Sequence, residues 1–286
     1  GSWQWASMAG STQGYDVAHS IDIGPNGNAF IAGYFQFTAY FGTGSITTSG
    51  GSDVFIAKIS QQGDWVWTGV AGGTSSSEAY AISVDSQGGV YVAGGFYTGI
   101  AFGNISYSTG GYSNSFVAKA NDQGSSVAWD WAITVDSGSG NSAADMTFDS
   151  NGDMVITGSF QGTASFGNTA MTSSGNQDVY VAKILANGNL AWARKAGSGS
   201  NDGGLGIGMD SQGNLYVTGF FFQNTISFGG VDITTSGGFD SFIAKMSNDY
   251  DQDAIPDSLD DDDDGDFILD AVDCLLYTSD AADERS

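Results

Sequence analysis

Cysteine, histidine and proline are nearly missing from this 286-residue chain, which has one, one and two of them. The single cysteine, Cys274, falls in the last thirteen residues, so cysteine usage indicates no redox compartment. No His-rich metal spacing exists, and no serine or cysteine sits in a recognisable nucleophile elbow. Basic side chains are few: seven against 32 acidic ones, a formal net charge of −25. A surface so negative repels phosphate backbones and anionic membranes, which excludes nucleic acid and leaves small hard cations as natural partners. No run of about 18 apolar residues exists, so nothing inserts in a membrane as a helix. Helical spacing of apolar residues is also wanting over any long window.

What the chain has in excess is glycine, 44 residues, with 13% aromatics in a composition that is 41% hydrophobic. That mixture suits short strands joined by tight turns around a substantial core. The charge is uneven, −11 over residues 1–246 and −14 over residues 247–286.

A fixed period underlies the first part. Phe55-Ile56-Ala57-Lys58 recurs as Phe116-Val117-Ala118-Lys119, Tyr180-Val181-Ala182-Lys183 and Phe242-Ile243-Ala244-Lys245, with steps of 61, 64 and 62 residues. Phe41-Gly42 recurs as Phe102-Gly103, Phe166-Gly167 and Phe228-Gly229 with the same steps. Four units result, about 1–60, 61–124, 125–188 and 189–247. Each reads as four strands, beginning with the tryptophan strand Trp65-Val66-Trp67 in the second unit. Asp85-Ser86-Gln87-Gly88 and its counterparts at Asp149 and Asp210 mark hairpin turns, and Gly24-Pro25-Asn26-Gly27 replaces them in the first unit. The fold class is all-β, and four strands with a period near 60 point to a β-propeller of four-stranded blades, four of them present, against a parallel β-helix as the rival.

The pattern carried by Asp210-Ser211-Gln212-Gly213-Asn214-Leu215-Tyr216-Val217-Thr218-Gly219 and Asp240-Ser241-Phe242-Ile243-Ala244-Lys245 resembles the SBBP β-propeller repeat of bacteria and archaea, over roughly residues 1–247. The resemblance implies a propeller in an extracellular or cell-surface protein. Gly1-Ser2-Trp3-Gln4-Trp5 aligns with Gly63-Asp64-Trp65-Val66-Trp67, so the chain opens inside a motif. The expectation is a fragment of a larger ring, with upstream blades favoured over a four-bladed ring closed by pairing the first tryptophan strand with 242–245.

All seven tryptophans, Trp3, Trp5, Trp65, Trp67, Trp129, Trp131 and Trp192, share one strand position, and Leu190 fills the eighth slot. Packing between blades is the expected role, a sugar-stacking platform the alternative. The repeat lysines Lys58, Lys119, Lys183 and Lys245 are expected to pair with Asp53, Asp178 and Asp240, five residues upstream, or to lie along the sheet; Asn114 stands at that place in the second unit. His19 falls in a strand where other units carry residues such as Ala81. Asp136, Asp145 and Asp202 offer an acid/base pair for glycoside chemistry in principle, though their placement resembles that of ordinary loop acids.

After Lys245 aspartates take over. Asp249, Asp251, Asp253, Asp257 and Asp260 follow steps of 2, 2, 4 and 3, and Asp262, Asp264, Asp266, Asp270 and Asp273 repeat them, with Ile255 and Ile268 in phase. These are the side-chain positions of a calcium loop, with the backbone carbonyls of Ile255 and Ile268 as further oxygens, and Ca²⁺ takes six to eight hard oxygens at about 2.3–2.6 Å. A solvated acidic linker is the competing reading. The segment resembles thrombospondin type-3 repeats, which implies a calcium-stiffened extracellular spacer over 248–273. Ala254 and Phe267 replace the usual loop glycine, and Asp replaces the terminal Glu, so affinity in the ~10⁻⁴–10⁻³ M class is expected, another pointer to the outside of the cell. Residues 274–286 resemble a translated sequencing adapter and are set aside as non-native.

The resulting expectation is an extracellular or surface binding module for a glycan or protein partner. It has Ca²⁺ as cofactor, no catalysis, and recognition on loops such as 197–204 and 137–141. A secreted polysaccharide hydrolase or lyase and a purely structural spacer are the alternatives.

Overall fold

The computed structural model describes residues 1–247; the aspartate array and everything after it lie outside the described residues. Within them the chain is all-β, with no helix. The first sheet orders Val17–Ile23, Ala29–Phe35, Asp53–Ile59 and Trp65–Ala71 as antiparallel neighbours. The second orders Ser77–Val84, Gly89–Phe102, Ile105–Asp122 and Val127–Val135, and the third Asn141–Phe148, Met154–Phe160, Asp178–Ile184 and Leu190–Ala196. The fourth has three described strands, Asp202–Met209, Leu215–Phe222 and Phe239–Met246.

Three of the sheets have four strands and the fourth has three among the described residues, and sheet and sequence unit are offset by one strand. Trp65–Ala71 closes the first sheet, with Lys58 opposite Trp67 and Ile59 opposite Trp65, instead of opening the second. Nothing in the strand's own sequence decides this, because pairing is a choice between two neighbours.

The looser stretch around each Phe-Gly is a second hairpin projecting from its sheet. It pairs Thr38–Phe41 with Gly44–Thr47, Thr163–Phe166 with Thr169–Thr172, and Thr225–Phe228 with Val231–Thr234. In the second sheet it is continuous with the long strands, Phe102 facing Ile105. Gly42, Gly103, Gly167 and Gly229 turn these hairpins at φ near 60°, a conformation that any Cβ penalises.

Period-two alternation puts each sheet's two faces against different neighbours. Ile82 and Val92 of the second sheet pack with Val54, Ile56 and Trp67 of the first, while Ala81, Tyr91 and Val117 meet Met146, Met154 and Ile156 of the third. Val155, Val179 and Trp192 of the third meet Leu215, Val217 and Phe242 of the fourth. The sheets therefore stack in chain order, and three cores are shared between neighbouring sheets, while Phe35, Ala39, Phe41, Phe55 and Ala57 form a fourth core between the first sheet and its own hairpin.

The tryptophans take the packing role at these junctions. Trp67 is buried and donates its Nε1–H to Asp122 Oδ1 of the second sheet at 2.9 Å, and Trp129 donates to the Val70 carbonyl at 3.1 Å. Trp65 and Trp129 stand edge-on to Phe41 and Phe102, with ring centroids 5.0 Å apart in both pairs. Trp65, Trp67 and Trp129 therefore pack within the stack and are not platforms for sugar, whereas Trp3 is 98% exposed.

Candidate functional site

The two ends of the stack differ in chemistry. One end carries the turns between paired strands. There Asp85 accepts from the amides of Gln87 and Gly89 while Gly88 N–H closes on the Asp85 carbonyl, and Asp149 and Asp210 do the same in their sheets. One oxygen of each carboxylate is taken up by its own turn, and the other by Tyr91, Lys183 or Asn214 of the same sheet. The opposite end gathers the loops that pass from sheet to sheet, the projecting hairpins, and the segments that return from them.

Serine and glycine fill those loops, and each loop is fastened to its neighbour by backbone bonds. Ser77 N–H donates to the Ser52 carbonyl at 2.8 Å and Asp202 N–H to the Gln177 carbonyl at 2.8 Å. At each junction this brings two equivalent polar positions together: Asp53 with Ser77, Asn114 with Asn141, and Asp178 with Asp202, all buried. In the middle junction Asn141 Nδ2 donates to the Val135 carbonyl at 2.9 Å, and its Oδ1 accepts from Ser115 N–H. In the last, Asp202 accepts from the backbone and hydroxyl of Ser198, and Asp178 accepts from Ser174 N–H at 2.8 Å with Lys195 Nζ 3.5 Å away.

Burial, reinforced by the Asp178 charge, raises the Asp202 pKa above the usual carboxylate range, against the opposing pull of the Ser198 hydrogen bonds. The folded state therefore holds this proton more tightly than the unfolded chain. Stability is gained as pH falls through the raised value toward the ordinary one, and lost as pH rises through that window. Asp202→Asn, which copies Asn141 at the equivalent position, is expected to stabilise the protein at pH 7 by about 1 kcal/mol. It should also flatten the stability profile through the window just above the ordinary carboxylate value, read by thermal unfolding against pH; an unchanged profile would show that Asp202 does not titrate there.

The three carboxylates singled out for acid/base chemistry are not a cluster. Asp136 accepts from Gly138 N–H at 3.1 Å, Asp145 accepts from Ile207 N–H at 2.9 Å, and Asp202 sits in the buried pair. The sequence reading missed that pair, although the two columns of polar residues recurring at 53, 114 and 178 and at 77, 141 and 202 carry its signal. No third carboxylate, histidine or cysteine joins it among the described residues.

The lysines find other partners than those five residues upstream. Five steps along a strand is about 17 Å and ends on the opposite face. Lys58 Nζ lies 2.5 Å from Asp122 Oδ2 of the next sheet, Lys183 Nζ 3.0 Å from Asp149, and Lys119 and Lys245 lie over the rings of Tyr91 and Tyr216 at 5.0 and 5.4 Å. His19 is the extra residue of a β-bulge between Ala18 and Ser20, the place taken in the other sheets by Tyr80, Ala144 and Leu205. Its ring lies 5.4 Å from that of Tyr80.

The loop end also exposes aromatic rings. Tyr15, Phe37, Tyr97 and Tyr112 are each about half exposed or more, at 75%, 54%, 49% and 51%. Phe37 and Thr98 hold φ of 58° and 57° at the same hairpin position where Gly162 and Asn224 hold 73° and 75°. Strain of that kind in non-glycine residues concentrates at functional surfaces. The loops 137–141 and 197–204 lie at this end, with Ser137, Asn141, Ser198 and Asp202 buried. The predicted calcium ligands, residues 249–273, lie outside the described residues.

No family model matches the chain. It is similar to the regulatory protein FlaEY of Caulobacter vibrioides, 28% identical over 220 residues that cover 71% of this chain, and it spans 22% of that protein's length. Among solved structures it is similar to a protein of unknown function from Dyadobacter fermentans, at 10% identity and a TM-score of 0.42, covering 78% of this chain and 59% of that one.

Proposed function

We propose that this chain is an extracellular recognition module without catalytic activity. In this reading the stacked sheets are blades of a propeller, the loop end is the binding face, and the segment 249–273 is a calcium-stiffened stalk. The observation that carries the reading is the contrast between the repeated framework and the unrepeated exposed aromatic rings at its loop end. The first strands of successive sheets lie close against one another while the fourth strands make few such contacts, which supports a reading in which blades splay from a common centre. Side chains of one first strand cap amides of the next, as Asp22 Oδ2 accepts from Val84 N–H at 2.7 Å and Asp145 from Ile207 N–H. Upon that framework the glycine- and serine-rich loops after Ser11, Gly72, Asp136 and Gly197 are flanked by different aromatic rings, which is how a fixed scaffold acquires one specific face.

A half-exposed tyrosine offers a flat apolar face and a hydroxyl, the chemistry that suits a sugar ring or a protein side chain. The 286-residue chain is expected to select ligands on glycan or surface-protein arrays. Tyr97→Ser with Tyr112→Ser should weaken the selected ligand at least ~10-fold, about 1.4 kcal/mol, with no change in melting temperature beyond a few degrees. A chain that selects nothing on either array would favour a spacer over a receptor.

A further inference from the structure

The first strands of the first two sheets each carry an extra residue, His19 and Tyr80, at the bulges between Ala18 and Ser20 and between Ala79 and Ala81. A bulge re-aims its side chain, and here it brings the two rings together. Their centroids lie 5.4 Å apart, and the Tyr34 ring stands 5.7 Å from that of His19. Beside them is Glu78, the one glutamate of residues 1–247. Its Oε2 accepts from the Tyr80 hydroxyl at 2.9 Å. Tyr97 comes alongside because its N–H is tied to the Ser76 carbonyl at 2.9 Å. It shares a face with Gly95, which stands opposite Glu78 and adds no side chain there.

Burial, reinforced by the Glu78 charge and by Tyr34 and Tyr97 nearby, raises the pKa of the Tyr80 hydroxyl. The phenol therefore stays protonated and donates to Glu78, so the cluster carries a full negative charge. Among the described residues the ion pairs join Lys58, Lys183 and Lys195 to aspartates, and none involves Glu78. A half-buried carboxylate without a counter-charge is costly, and a bound cation would offset that cost.

Nor is this arrangement part of the repeat. The place of Glu78 is taken by Val17, Ser142 and Gly203 in the other sheets, and in the third sheet Ala144 and Gln161 stand where the second has Tyr80 and Tyr97. Framework positions recur in every sheet, whereas this group occurs once. It is carried mainly by the second sheet, which has a neighbour on each face.

We propose that Glu78, with the rings of Tyr34, Tyr80, Tyr97 and His19 around it, receives an organic cation, the ammonium side chain of a lysine on a protein partner. The carboxylate supplies the counter-charge, and the tyrosine faces attract the ammonium and cover its methylenes. A neutral sugar would leave the carboxylate uncompensated. The proposal rests on the reading of the loop end as a recognition face and gives that face a ligand class.

NMR titration of the 286-residue chain with Nα-acetyl-lysine N-methylamide tests it, with the uncharged norleucine counterpart as control. The lysine amide is expected to bind at least ~10-fold more tightly than the norleucine amide. Glu78→Gln keeps an oxygen for the Tyr80 hydroxyl, and it should remove that preference with the melting temperature unchanged. The aspartate array is identical in this variant, so attraction to it cancels from the comparison. Tyr97→Leu keeps the backbone bond to Ser76 and should weaken the lysine amide ~3-fold or more. Equal binding of the two amides, or a preference that survives both substitutions, would overturn the cation site. A glycan selected on arrays and indifferent to Glu78→Gln would overturn it as well, while leaving the recognition face standing. Lysine binding that depends on Glu78, in a chain that selects nothing on arrays, would support the site and remove the receptor reading.

Discussion

Gly94→Ala is expected to unfold the second sheet, with a loss of about 4 kcal/mol or more, a size reserved for backbone clashes and core cavities. The second strand of every sheet has a glycine at this place, and each lies beside a β-bulge in the first strand. A Cβ on Gly94 would stand 2.0 Å from the Glu78 carbonyl oxygen; on Gly33, Gly158 or Gly219 it would stand 1.8, 2.0 or 1.9 Å from the Val17, Ser142 or Gly203 oxygen. The obstacle is backbone, which cannot rotate aside, so the bulge itself would have to open. Gly88→Ala supplies the contrast. That residue turns a hairpin at φ 89° with nothing within 4 Å of its would-be Cβ. It should cost the ~1–2 kcal/mol of a left-handed alanine and no more. Urea unfolding of the two variants separates the effects, and similar losses would refute the steric account.

Calcium titration of the full chain is expected to show roughly two ions bound, in the ~10⁻⁴–10⁻³ M range. Asp251→Ala combined with Asp264→Ala should abolish the heat. The pair removes one carboxylate from the second position of each repeated set, taking from each ion a ligand and a charge. Without a cation the segment is costly to compact, since two carboxylates ~5 Å apart repel by about 0.8 kcal/mol even at the dielectric of water, and twelve aspartates lie between 249 and 273. EDTA should therefore expand that segment in scattering and leave the strand signal in circular dichroism intact. Unaltered binding by the double variant would remove calcium from the account and return the array to the status of an acidic linker.

Much of the framework is legible in the sequence because it is repeated. Strands, turns and the Phe-Gly hairpin tips recur at one irregular spacing, and local chemistry explains each: Asp85 bonds its own turn amides, and Gly42 takes a φ that other residues resist. The parts that are not legible depend on partners distant in the chain. Trp65–Ala71 has the same alternation whichever sheet it joins. The bulge at His19 hides as one extra residue in an otherwise regular strand. Lys58 reaches an aspartate 64 residues away in place of one five residues away. Asp178 and Asp202 stand 24 positions apart and meet because two loops zip together, which no spacing rule anticipates.

Because each inner sheet lends one face to each neighbour, the second or third sheet cut from this chain would expose its lent surface on both sides. The smallest piece able to hold its shape is a neighbouring pair. Between the first and second sheets Asp122 grips both the ammonium of Lys58 and the indole of Trp67, so separating that pair would break a charged clasp as well as an apolar face.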